Sequence, residues 1–315
     1  MNAWMLAAAA AVALIVLVMA LEVLAPSGMT RFWLGLERWR AGLKLKQQAI
    51  AGGLQIPYLE GGSGEPLLLV HGFGGDKDNF TRMAGTLTRR YRVIIPDLPG
   101  FGDGTRDPAL RYAVTDQMHR LHDFVAALGI ERLHLGGNSM GGFIATEYAA
   151  TYPQQVASLW LLDPAGTEAA HDSEMLHHYQ ASGETPLLLR RVADIGPALQ
   201  AIAARPPLLP PSVKTVLGRR AVADHALHRT ILEQLVHASP TLEARLPAIS
   251  APTLVVWGTQ DRILNPRGAD ALRAGLPRSR VLLMDGIGHV PMMEAPATTA
   301  ADYLRFRNEL NETRA

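Results

Sequence analysis

The sequence predicts an α/β fold in which a mostly parallel sheet carries helices on both faces. Short apolar runs alternate with helical stretches along most of the chain, and this alternation is typical of parallel α/β domains. A glycine-rich turn, Gly137 to Gly142, joins one predicted strand directly to the next predicted helix. An uncharged run of 19 residues, Ala3 to Leu21, precedes the alternating part. Together these observations predict one large domain behind an N-terminal transmembrane helix.

Residues 1–25 are expected to form a single-pass membrane anchor. A helix of this length just crosses the roughly 30 Å of hydrocarbon in a bilayer. A cleaved signal peptide is the alternative, because Val18-Met19-Ala20 resembles a cleavage site. The segment before the run contains no Lys or Arg, and the run is longer than the apolar core of a usual signal peptide. Both observations favour the anchor.

Residues 26–42 are expected to form a basic and aromatic juxtamembrane helix. Large apolar side chains recur there at helical spacing, namely Phe32, Leu36, Trp39 and Leu43. This pattern fits a helix in the membrane interface, and equally a helix that packs on the following domain. Basic residues cluster after the uncharged run, namely Arg31, Arg38, Arg40, Lys44 and Lys46. The positive-inside tendency then predicts that the following domain lies on the cytoplasmic side of a bacterial-type inner membrane.

Residues 43–315 are expected to form the α/β domain, with eight strands. The predicted strands lie near Leu43 to Ala51, Leu54 to Glu60, Leu67 to His71, Arg92 to Pro96, Arg132 to Gly136, Val156 to Asp163, Thr253 to Trp257 and Arg280 to Met284. The predicted helices between them lie near Phe80 to Arg89, Asp116 to Leu128, Gly141 to Tyr152, Arg267 to Ala274 and Pro291 to Asn308.

One stretch interrupts the alternation. From about residue 167 to residue 246 no strand is evident, and leucine, alanine and proline dominate. This stretch is predicted to be a helical cap, or lid, inserted into the domain. An apolar cap suits a substrate with an acyl chain, whose burial contributes roughly 0.8 kcal/mol per CH₂ group.

Ser139 is the predicted nucleophile. It lies at the centre of Gly137-Asn138-Ser139-Met140-Gly141-Gly142, between a predicted strand and a predicted helix. A serine hydroxyl attacks a carbonyl well only when a sharp turn presents it to a base. The flanking glycines lack the Cβ atoms that would collide where strand and helix come close. A glycine-rich turn with an ordinary serine is the alternative.

The predicted base and acid follow in the order that this architecture requires. Asp261 comes just after an apolar strand and its turn, and His289 lies in the loop after the last strand. His289 would take the proton of Ser139, while Asp261 would fix the imidazole tautomer. Asp163, at the end of another apolar strand, competes with Asp261 for this role. Asp285 is a weaker competitor, since its position close to His289 suits a loop-shaping residue.

Two backbone N–H groups are predicted to form the oxyanion hole. Met140 follows the nucleophile at the start of a helix, where the dipole favours an anion. Phe73 lies in the loop His71-Gly72-Phe73-Gly74-Gly75, directly after the strand that begins near Leu67. A glycine-rich turn with no chemical role is the alternative for this loop.

These motifs together resemble the α/β-hydrolase family. They are His71-Gly72-Phe73-Gly74, the run from Pro96 to Gly102, the Ser139 turn, the run from Trp257 to Asp261, and Gly288-His289. The resemblance extends from about Leu43 to about Leu310. Within the family, the chain is most similar to membrane-anchored monoacylglycerol lipases and to bacterial lipases and esterases. The stretches that carry this similarity are His71 to Phe73, Asp76 to Phe80 and Asp163 to Gly166.

The resemblance implies a membrane-anchored serine hydrolase that cleaves carboxylic esters such as monoacylglycerols or short to medium acyl esters. One alternative is a carbon–carbon bond hydrolase of ring-fission dienoates, although these tend to carry a proline in the oxyanion loop, and Gly74-Gly75-Asp76 does not. Another alternative is a catalytically silent scaffold. An aspartate nucleophile, as in haloalkane dehalogenases and epoxide hydrolases, conflicts with Ser139.

Composition narrows the expected partners. The net charge of +1 gives no reason to expect nucleic acid binding, and a chain with no cysteine has neither disulfides nor zinc–thiolate sites. The predicted chemistry requires no metal or organic cofactor. The expected partners are therefore a small ester or lipid and the membrane, with no obligate protein partner evident.

Overall fold

The eight strands follow the predicted apolar runs closely. The structure is a computed structural model that describes residues 2–312. Its strands, in chain order, are β1 (Leu43–Ala49), β2 (Gln55–Gly61), β3 (Glu65–Val70), β4 (Tyr91–Pro96), β5 (Leu133–Asn138), β6 (Val156–Leu162), β7 (Thr253–Gly258) and β8 (Ser279–Met284). They form one sheet in the order β1-β2-β4-β3-β5-β6-β7-β8. Only β2 runs antiparallel to its neighbours, β1 and β4. The predicted mostly parallel sheet is confirmed.

Helices precede, separate and follow these strands. In chain order they are α1 (Ala3–Leu24), α2 (Pro26–Arg40), α3 (Thr81–Leu87), α4 (Val114–Ala127), α5 (Met140–Thr151), α6 (Glu168–His171), α7 (Glu174–Ser182), α8 (Ile195–Ile202), α9 (Pro211–Ala223), α10 (His225–His237), α11 (Gly268–Gly275), α12 (Pro291–Glu294) and α13 (Pro296–Glu312). Short 3-10 turns occupy Ala51–Gly53, Lys77–Phe80, Val192–Asp194 and Leu246–Ala248.

Two hydrophobic cores lie on opposite faces of the sheet. Helices α4, α5 and α11 cover one face, where Leu135, Phe143 and Leu272 are buried together. Helices α3 and α13 cover the other, where Trp160 stacks on Tyr303 with their ring centroids 4.3 Å apart. Fully buried parallel strands need apolar side chains on both faces, and β3, β6 and β7 have them. The prediction of helices on both faces is therefore confirmed.

The last predicted helix, Pro291 to Asn308, is two helices in the structure. Helix α12 ends at Glu294 and α13 begins at Pro296. Between them, Ala295 has φ −137° and ψ 56°, outside the helical region. A residue that precedes proline avoids the helical conformation because the proline ring clashes with it. The break follows from Pro296.

Helix α2 packs on the domain through one face and is exposed on the other. It contacts α9, α3 and β1. Arg38 forms a two-pronged ion pair with Asp78, at 2.6 and 2.7 Å, while Phe32 and Trp39 are exposed. The four apolar residues predicted to share one helix face therefore do not lie together, because Leu43 belongs to β1 and is buried. Helix α2 thus packs on the domain and also has exposed aromatic side chains on its outer surface.

The end of α1 is fastened to the helices between β6 and β7. Glu22 is buried and accepts hydrogen bonds from the indole N–H of Trp33 (2.6 Å) and the backbone N–H of Ser212 (2.7 Å). Ser212 lies in the first turn of α9, whose N–H groups have no partner inside the helix. A carboxylate is favourable at that end of a helix. Glu22 therefore ties α1 to α9.

Candidate active site

Ser139 occupies a strained turn between β5 and α5. Its φ of 55° and ψ of −120° lie outside the regions that side-chain-bearing residues normally adopt. Its N–H donates to the carbonyl of Leu162, and its own carbonyl accepts from Phe143 and Ala165. Such conformations cost on the order of 1–3 kcal/mol and persist only where the surroundings enforce them. Hydrogen bonds to the end of β6, to the segment after it and to α5 therefore hold the turn in this conformation.

Glycines make this turn possible because backbone atoms fill the space that side chains would need. A Cβ atom on Gly137 would lie 2.2 Å from the carbonyl oxygen of Gly141. A Cβ atom on Gly141 would lie 2.2 Å from the carbonyl oxygen of Val70, at the end of β3. Real Cβ atoms do not approach oxygen so closely. Strand β3, strand β5 and helix α5 therefore meet at a distance that only glycine allows.

His289 and Asp261 form a buried pair at the same edge of the sheet. The Nδ1 atom of His289 lies 2.8 Å from Oδ2 of Asp261. The other carboxylate oxygen of Asp261 accepts the N–H groups of Ile263 (2.8 Å) and Leu264 (3.1 Å). These bonds leave Oδ2 facing the imidazole. A carboxylate at Nδ1 places the proton there and leaves Nε2 as the basic nitrogen.

Neighbouring residues hold the His289 loop in position. The side-chain amide of Asn138 donates to the backbone carbonyls of His289 and Leu162, each at 3.0 Å. The carboxylate of Glu294 accepts the N–H of Gly288 at 3.0 Å. Asn138 directly precedes Ser139, so one side chain connects the serine turn to the histidine loop.

Of the competing acids, Asp261 is the one that contacts His289 in this way. Asp285 is exposed, and its carboxylate accepts a hydrogen bond from the hydroxyl of Thr259 at 3.1 Å. Asp163 is completely buried, with φ 44°, and its Oδ1 accepts the N–H of Gly258 at 2.8 Å. Burial, with the nearby charge of Asp261, raises the pKa of Asp163 well above its ordinary range.

The predicted oxyanion loop packs against the serine turn. A Cβ atom on Gly72 would lie 3.1 Å from the Cβ atom of Ser139. The backbone N–H groups of Phe73 and Met140 are not used by the turn, loop and cap hydrogen bonds among residues 2–312. Helix α5 begins at Met140, so its N-terminal N–H groups lie at the serine. The sequence brings both predicted donors to the same place.

His71 fixes the backbone of this loop. Its Nδ1 lies 2.8 Å from the carbonyl oxygen of Gly72, which can only accept, so Nδ1 carries the proton. Its Nε2 accepts the N–H of Leu98 at 3.1 Å. Complete burial lowers the pKa of His71 and keeps it in this neutral tautomer. His71 thereby joins the Phe73 loop to the loop after β4.

A buried charge network lies beneath the loop. The ammonium of Lys77, 1% exposed, is 2.7 Å from carboxylate oxygens of both Asp97 and Asp103. Burial alone would lower the pKa of Lys77, but the nearby carboxylates outweigh it and raise the pKa. Arg220 of α9 completes the network by pairing with Asp76 (3.1 Å) and Asp103 (3.2 Å). The network connects the loop to the helices between β6 and β7.

Ser139 and His289 line one apolar cavity of about 210 Å³. Nearly half of the residues that line it belong to α8, α9 and the segments around them, including Leu187, Ile195, Leu199, Val213 and Leu217. Helix α2 contributes Leu34 and Glu37. Apolar walls with a few polar groups at one end are typical of sites that bind small molecules.

Comparison with known proteins places this arrangement in a family. The family model described as alpha/beta hydrolase fold matches residues 65–296, more than half of the chain. The chain belongs to the α/β-hydrolase family. The motif resemblance and the predicted fold are both confirmed by this match.

Its similarities are to lipases in particular. This α/β-hydrolase is 40% identical over 280 residues to Lipase 3 of Moraxella sp. (strain TA144), covering 88% of each chain. It is 29% identical to the monoacylglycerol lipase ABHD6 of Bos taurus, covering 78% of this chain and 76% of that protein. It also superposes on the crystal structure of a membrane phospholipase A, described as a bacterial virulence factor, with a TM-score of 0.89 and 42% identity. That match covers 96% of this chain and 97% of the other.

Several residues of this α/β-hydrolase site were not identified from the sequence. They are the connector Asn138, the neutral His71, the Lys77 network and the cavity residues of α2. Each acts through a partner far away along the chain. His71, Asn138 and Lys77 stand inside stretches that the sequence analysis singled out, so a local signal was present for them. No such signal marked the cavity residues of α2.

Proposed function

We propose that this α/β-hydrolase is a membrane-anchored serine hydrolase that cleaves carboxylic esters. Its favoured substrates are lipids with one acyl chain and a small head group, such as monoacylglycerols, or short to medium acyl esters. The class of carboxylic-ester hydrolase is supported by the lipase relatives. The observation that carries the mechanism is the buried His289–Asp261 pair, whose histidine lines the same cavity as Ser139.

In the acylation step, Ser139 attacks the acyl carbonyl while Nε2 of His289 takes the hydroxyl proton. Asp261 stabilises the imidazolium that forms, through the 2.8 Å contact at Nδ1. The backbone N–H groups of Phe73 and Met140 stabilise the oxyanion, where such donors are worth several kcal/mol. His289 then gives the proton to the leaving alkoxide, and the acyl group remains on Ser139.

In the deacylation step, water takes the place of the alcohol. His289 removes a proton from the water as it attacks the acyl-enzyme, and the same two N–H groups stabilise the second oxyanion. Return of the proton to Ser139 releases the carboxylic acid. The strained turn keeps Ser139 in the cavity wall throughout, because neither β5 nor α5 can move away from β3 without losing close backbone packing.

The cavity wall supports an acyl chain as the buried part of the substrate. Each CH₂ group transferred from water to this wall contributes roughly 0.8 kcal/mol. Among the described residues that line the cavity, the two arginines are both paired, Arg82 with Glu37 and Arg220 with Asp76. A ring-fission dienoate carries a carboxylate that needs a cation, so these pairs disfavour the carbon–carbon bond hydrolase.

Helix α1 supports a retained membrane anchor. Among residues 2–312 it is the one helix long and apolar enough to cross a bilayer, and its side chains are exposed along almost all of its length. A signal peptide would satisfy the same length test. The absence of Lys and Arg before the apolar run, and a run longer than the apolar core of a usual signal peptide, favour retention. We propose residues 1–25 as the anchor, 26–42 as the juxtamembrane helix, and 43–315 as the catalytic domain, with residues 167–246 as its lid.

The first test measures ester hydrolysis with and without Ser139. Purified full-length protein in detergent is given p-nitrophenyl esters of increasing acyl length, 1-monoacylglycerols and one ring-fission dienoate. Ser139→Ala is expected to lower kcat/KM for esters at least about a thousandfold and to abolish labelling by a fluorophosphonate. Ser182→Ala, which changes an exposed serine of α7, is the matched control. Turnover of the dienoate alone, or Ser139→Ala with full ester activity, would contradict the proposal.

The second test concerns the side of the membrane. Two of the five basic residues after the anchor are committed to ion pairs, Arg38 with Asp78 and Lys46 with Glu60. The other three basic residues still follow the anchor with no counterpart before it, and this asymmetry predicts a cytoplasmic catalytic domain. Protease added to intact bacterial spheroplasts is expected to leave the domain uncut, and to degrade it only after the membrane is permeabilised. Degradation in intact spheroplasts would place the domain on the outer side.

A further inference from the structure

Asp163 is a completely buried carboxyl beside the His289–Asp261 pair, and the proposed reaction does not use it. It follows β6 directly, is 0% exposed, and has a φ of 44°. Positive φ is uncommon for residues other than glycine, and such positions concentrate at functional sites. Among the described residues, its Oδ2 has no hydrogen-bond partner, although it is completely buried. A buried carboxylate oxygen without a donor is costly.

Asp163 lies beside the acid of the catalytic pair. Side-chain oxygens of Asp163 and Asp261 and a ring nitrogen of His289 all lie within 4.8 Å of one another. Two carboxylates this close in a buried site cannot both be charged without strong repulsion, so one of them holds a proton. The question is which of the two holds it.

The hydrogen-bond donors around each carboxyl answer this question. Asp261 has three donors, namely two backbone N–H groups and the N–H at Nδ1 of His289. Asp163 has one, the backbone N–H of Gly258. Donors stabilise the ionised form of a carboxyl. The proton therefore resides on Asp163, and Asp261 carries the charge.

We propose that Asp163 is a positioning residue, a neutral carboxylic acid whose Oδ2–H donates to the carboxylate of Asp261. This role rests on the proposed function, in which Asp261 is the acid of the catalytic pair. With its proton, Oδ2 becomes a donor and its missing partner is supplied by Asp261. The pair of carboxyls then carries one negative charge, and Asp261 is held from both sides, by His289 and by Asp163.

The surroundings of Asp163 favour the neutral form. Burial, and then the charge of Asp261 and of Glu294 on α12, raise the pKa of Asp163, whereas the N–H of Gly258 opposes this rise. His289, in the loop after β8, is the only other titratable group within the cluster that the structure describes around Asp163 and Asp261. The geometry and the electrostatics thus point in the same direction.

A neutral donor at Asp261 has a consequence for His289. A hydrogen bond from Asp163 spreads the charge of Asp261, so this carboxylate stabilises an imidazolium less than a bare carboxylate would. Loss of that donor strengthens the interaction of Asp261 with the imidazolium, and the acid limb of the pH profile of kcat/KM moves to higher pH. A purely structural contribution of Asp163 would leave this limb in place.

Infrared spectroscopy tests the protonation state independently of catalysis. The experiment records a difference spectrum between the wild-type protein and Asp163→Asn at mildly alkaline pH, where ordinary carboxyls are ionised. We expect the carboxylic-acid C=O band of the wild type to be missing from the variant. Asparagine suits the left-handed backbone at this position, and its amide N–H₂ can replace the proposed donor. A lost carboxylate band in place of the acid band would overturn the proposal.

Kinetics of two variants test the positioning role. Asp163→Asn keeps a donor at Asp261 and an acceptor for Gly258, so its kcat/KM and pH profile should stay close to those of the wild type. Asp163→Gly tolerates the positive φ but removes the donor. Its kcat/KM should fall about tenfold, as expected for the loss of a hydrogen bond to a charged group. The acid limb should also move to higher pH.

The outcomes separate this proposal from the proposed function. If Asp163→Asn lost as much activity as Asp261→Asn, Asp163 would be the ionised catalytic acid and the positioning role would be wrong. An unchanged acid limb in Asp163→Gly would also contradict it. If Ser139→Ala kept full activity while the acid band was present, the proposed function would fail and the protonation of Asp163 would stand.

Discussion

The serine turn and the helices that cover it are built in opposite ways. At the turn, backbone meets backbone, and added Cβ atoms on Gly137 and Gly141 would lie 2.2 Å from carbonyl oxygens. In the covering helices, side chains meet side chains, and most residues of α8 and α9 are only half-buried. Gly196 of α8 has no atom within 4 Å of the position that its Cβ would take.

This difference separates two tasks of the site. Chemistry requires reacting atoms held to within a fraction of an ångström, and close backbone packing provides this. Binding chains of different length requires a wall that can adjust, and half-buried side chains provide that. The same residue type should therefore have opposite effects when it is changed in the two regions.

The largest expected effect comes from glycine. Gly141→Ala should destabilise the protein by about 3 kcal/mol or more, because its methyl group would overlap the carbonyl of Val70. It should also abolish fluorophosphonate labelling. Gly196→Ala makes the same change in α8 and should leave stability unchanged or raise it by up to about 1 kcal/mol. Thermal denaturation in detergent measures both, and equal effects of the two variants would refute the contrast.

The next largest effect should come from the buried charge network beside the proposed oxyanion loop. Lys77→Met leaves Asp97, which is 0% exposed, without its ammonium partner, and loss of one member of a buried pair costs about 3–5 kcal/mol. Arg273→Met breaks an exposed pair with Asp270 on α11 and should cost less than about 1 kcal/mol. Chemical denaturation measures the free energy of unfolding of both variants. If Lys77→Met lost no more stability than Arg273→Met, the network would not stabilise the loop.

A pH-dependent effect should distinguish Asp163→Asn from the wild type. The pKa of Asp163 is raised in the folded protein, so the stability that its proton contributes is fully present below the unfolded pKa. This contribution is lost as pH rises through the folded pKa. Asparagine does not titrate. The melting temperature of the variant relative to the wild type should therefore rise with pH, and a difference independent of pH would contradict this reasoning.

The smallest expected effect lies in the polar connection of α9 to the loop. Arg220 is partly exposed, so its pairs with Asp76 and Asp103 are screened by water. Arg220→Ala should lower stability by less than about 1 kcal/mol. Because Arg220 lines the cavity, KM for long acyl esters should change more than KM for short ones. Arg219 is its exposed neighbour on α9, and Arg219→Ala should change neither the stability nor the KM values. Equal changes of KM in both variants would contradict a specific contribution of Arg220 to the cavity.

Local pattern was enough to predict the sheet and the residues that now meet at its edge. Apolar runs bounded by turns predicted all eight strands. The pattern was clearest in the buried parallel strands β6 and β7, because both of their faces are mostly apolar. Ser139, Asp261 and His289 stand at the ends of such strands, and parallel strands bring their carboxyl ends to one edge. The helix break at Ala295 was also readable, since Pro296 follows it, but it was missed.

Other features depend on distances that no local pattern carries. Lys77 is a buried cation only because Asp97 and Asp103 meet it from another loop. Asp163 looked like a rival for the role of Asp261, and only three-dimensional structure shows the two carboxyls side by side. The spacing of apolar residues in α2 could not show that Leu34 reaches the cavity, because that depends on where α9 lies.

The contact between Glu22 and α9 matters for anyone who wants a soluble form of this protein. A chain shortened to begin after Leu24 would lose the acceptor for the N–H of Ser212 and for the indole of Trp33. Helix α9, with Val213 and Leu217, forms part of the cavity wall. Removal of the apolar helix would thus loosen the end of a helix that lines the cavity, and chain-length preferences measured on such a fragment would describe the fragment.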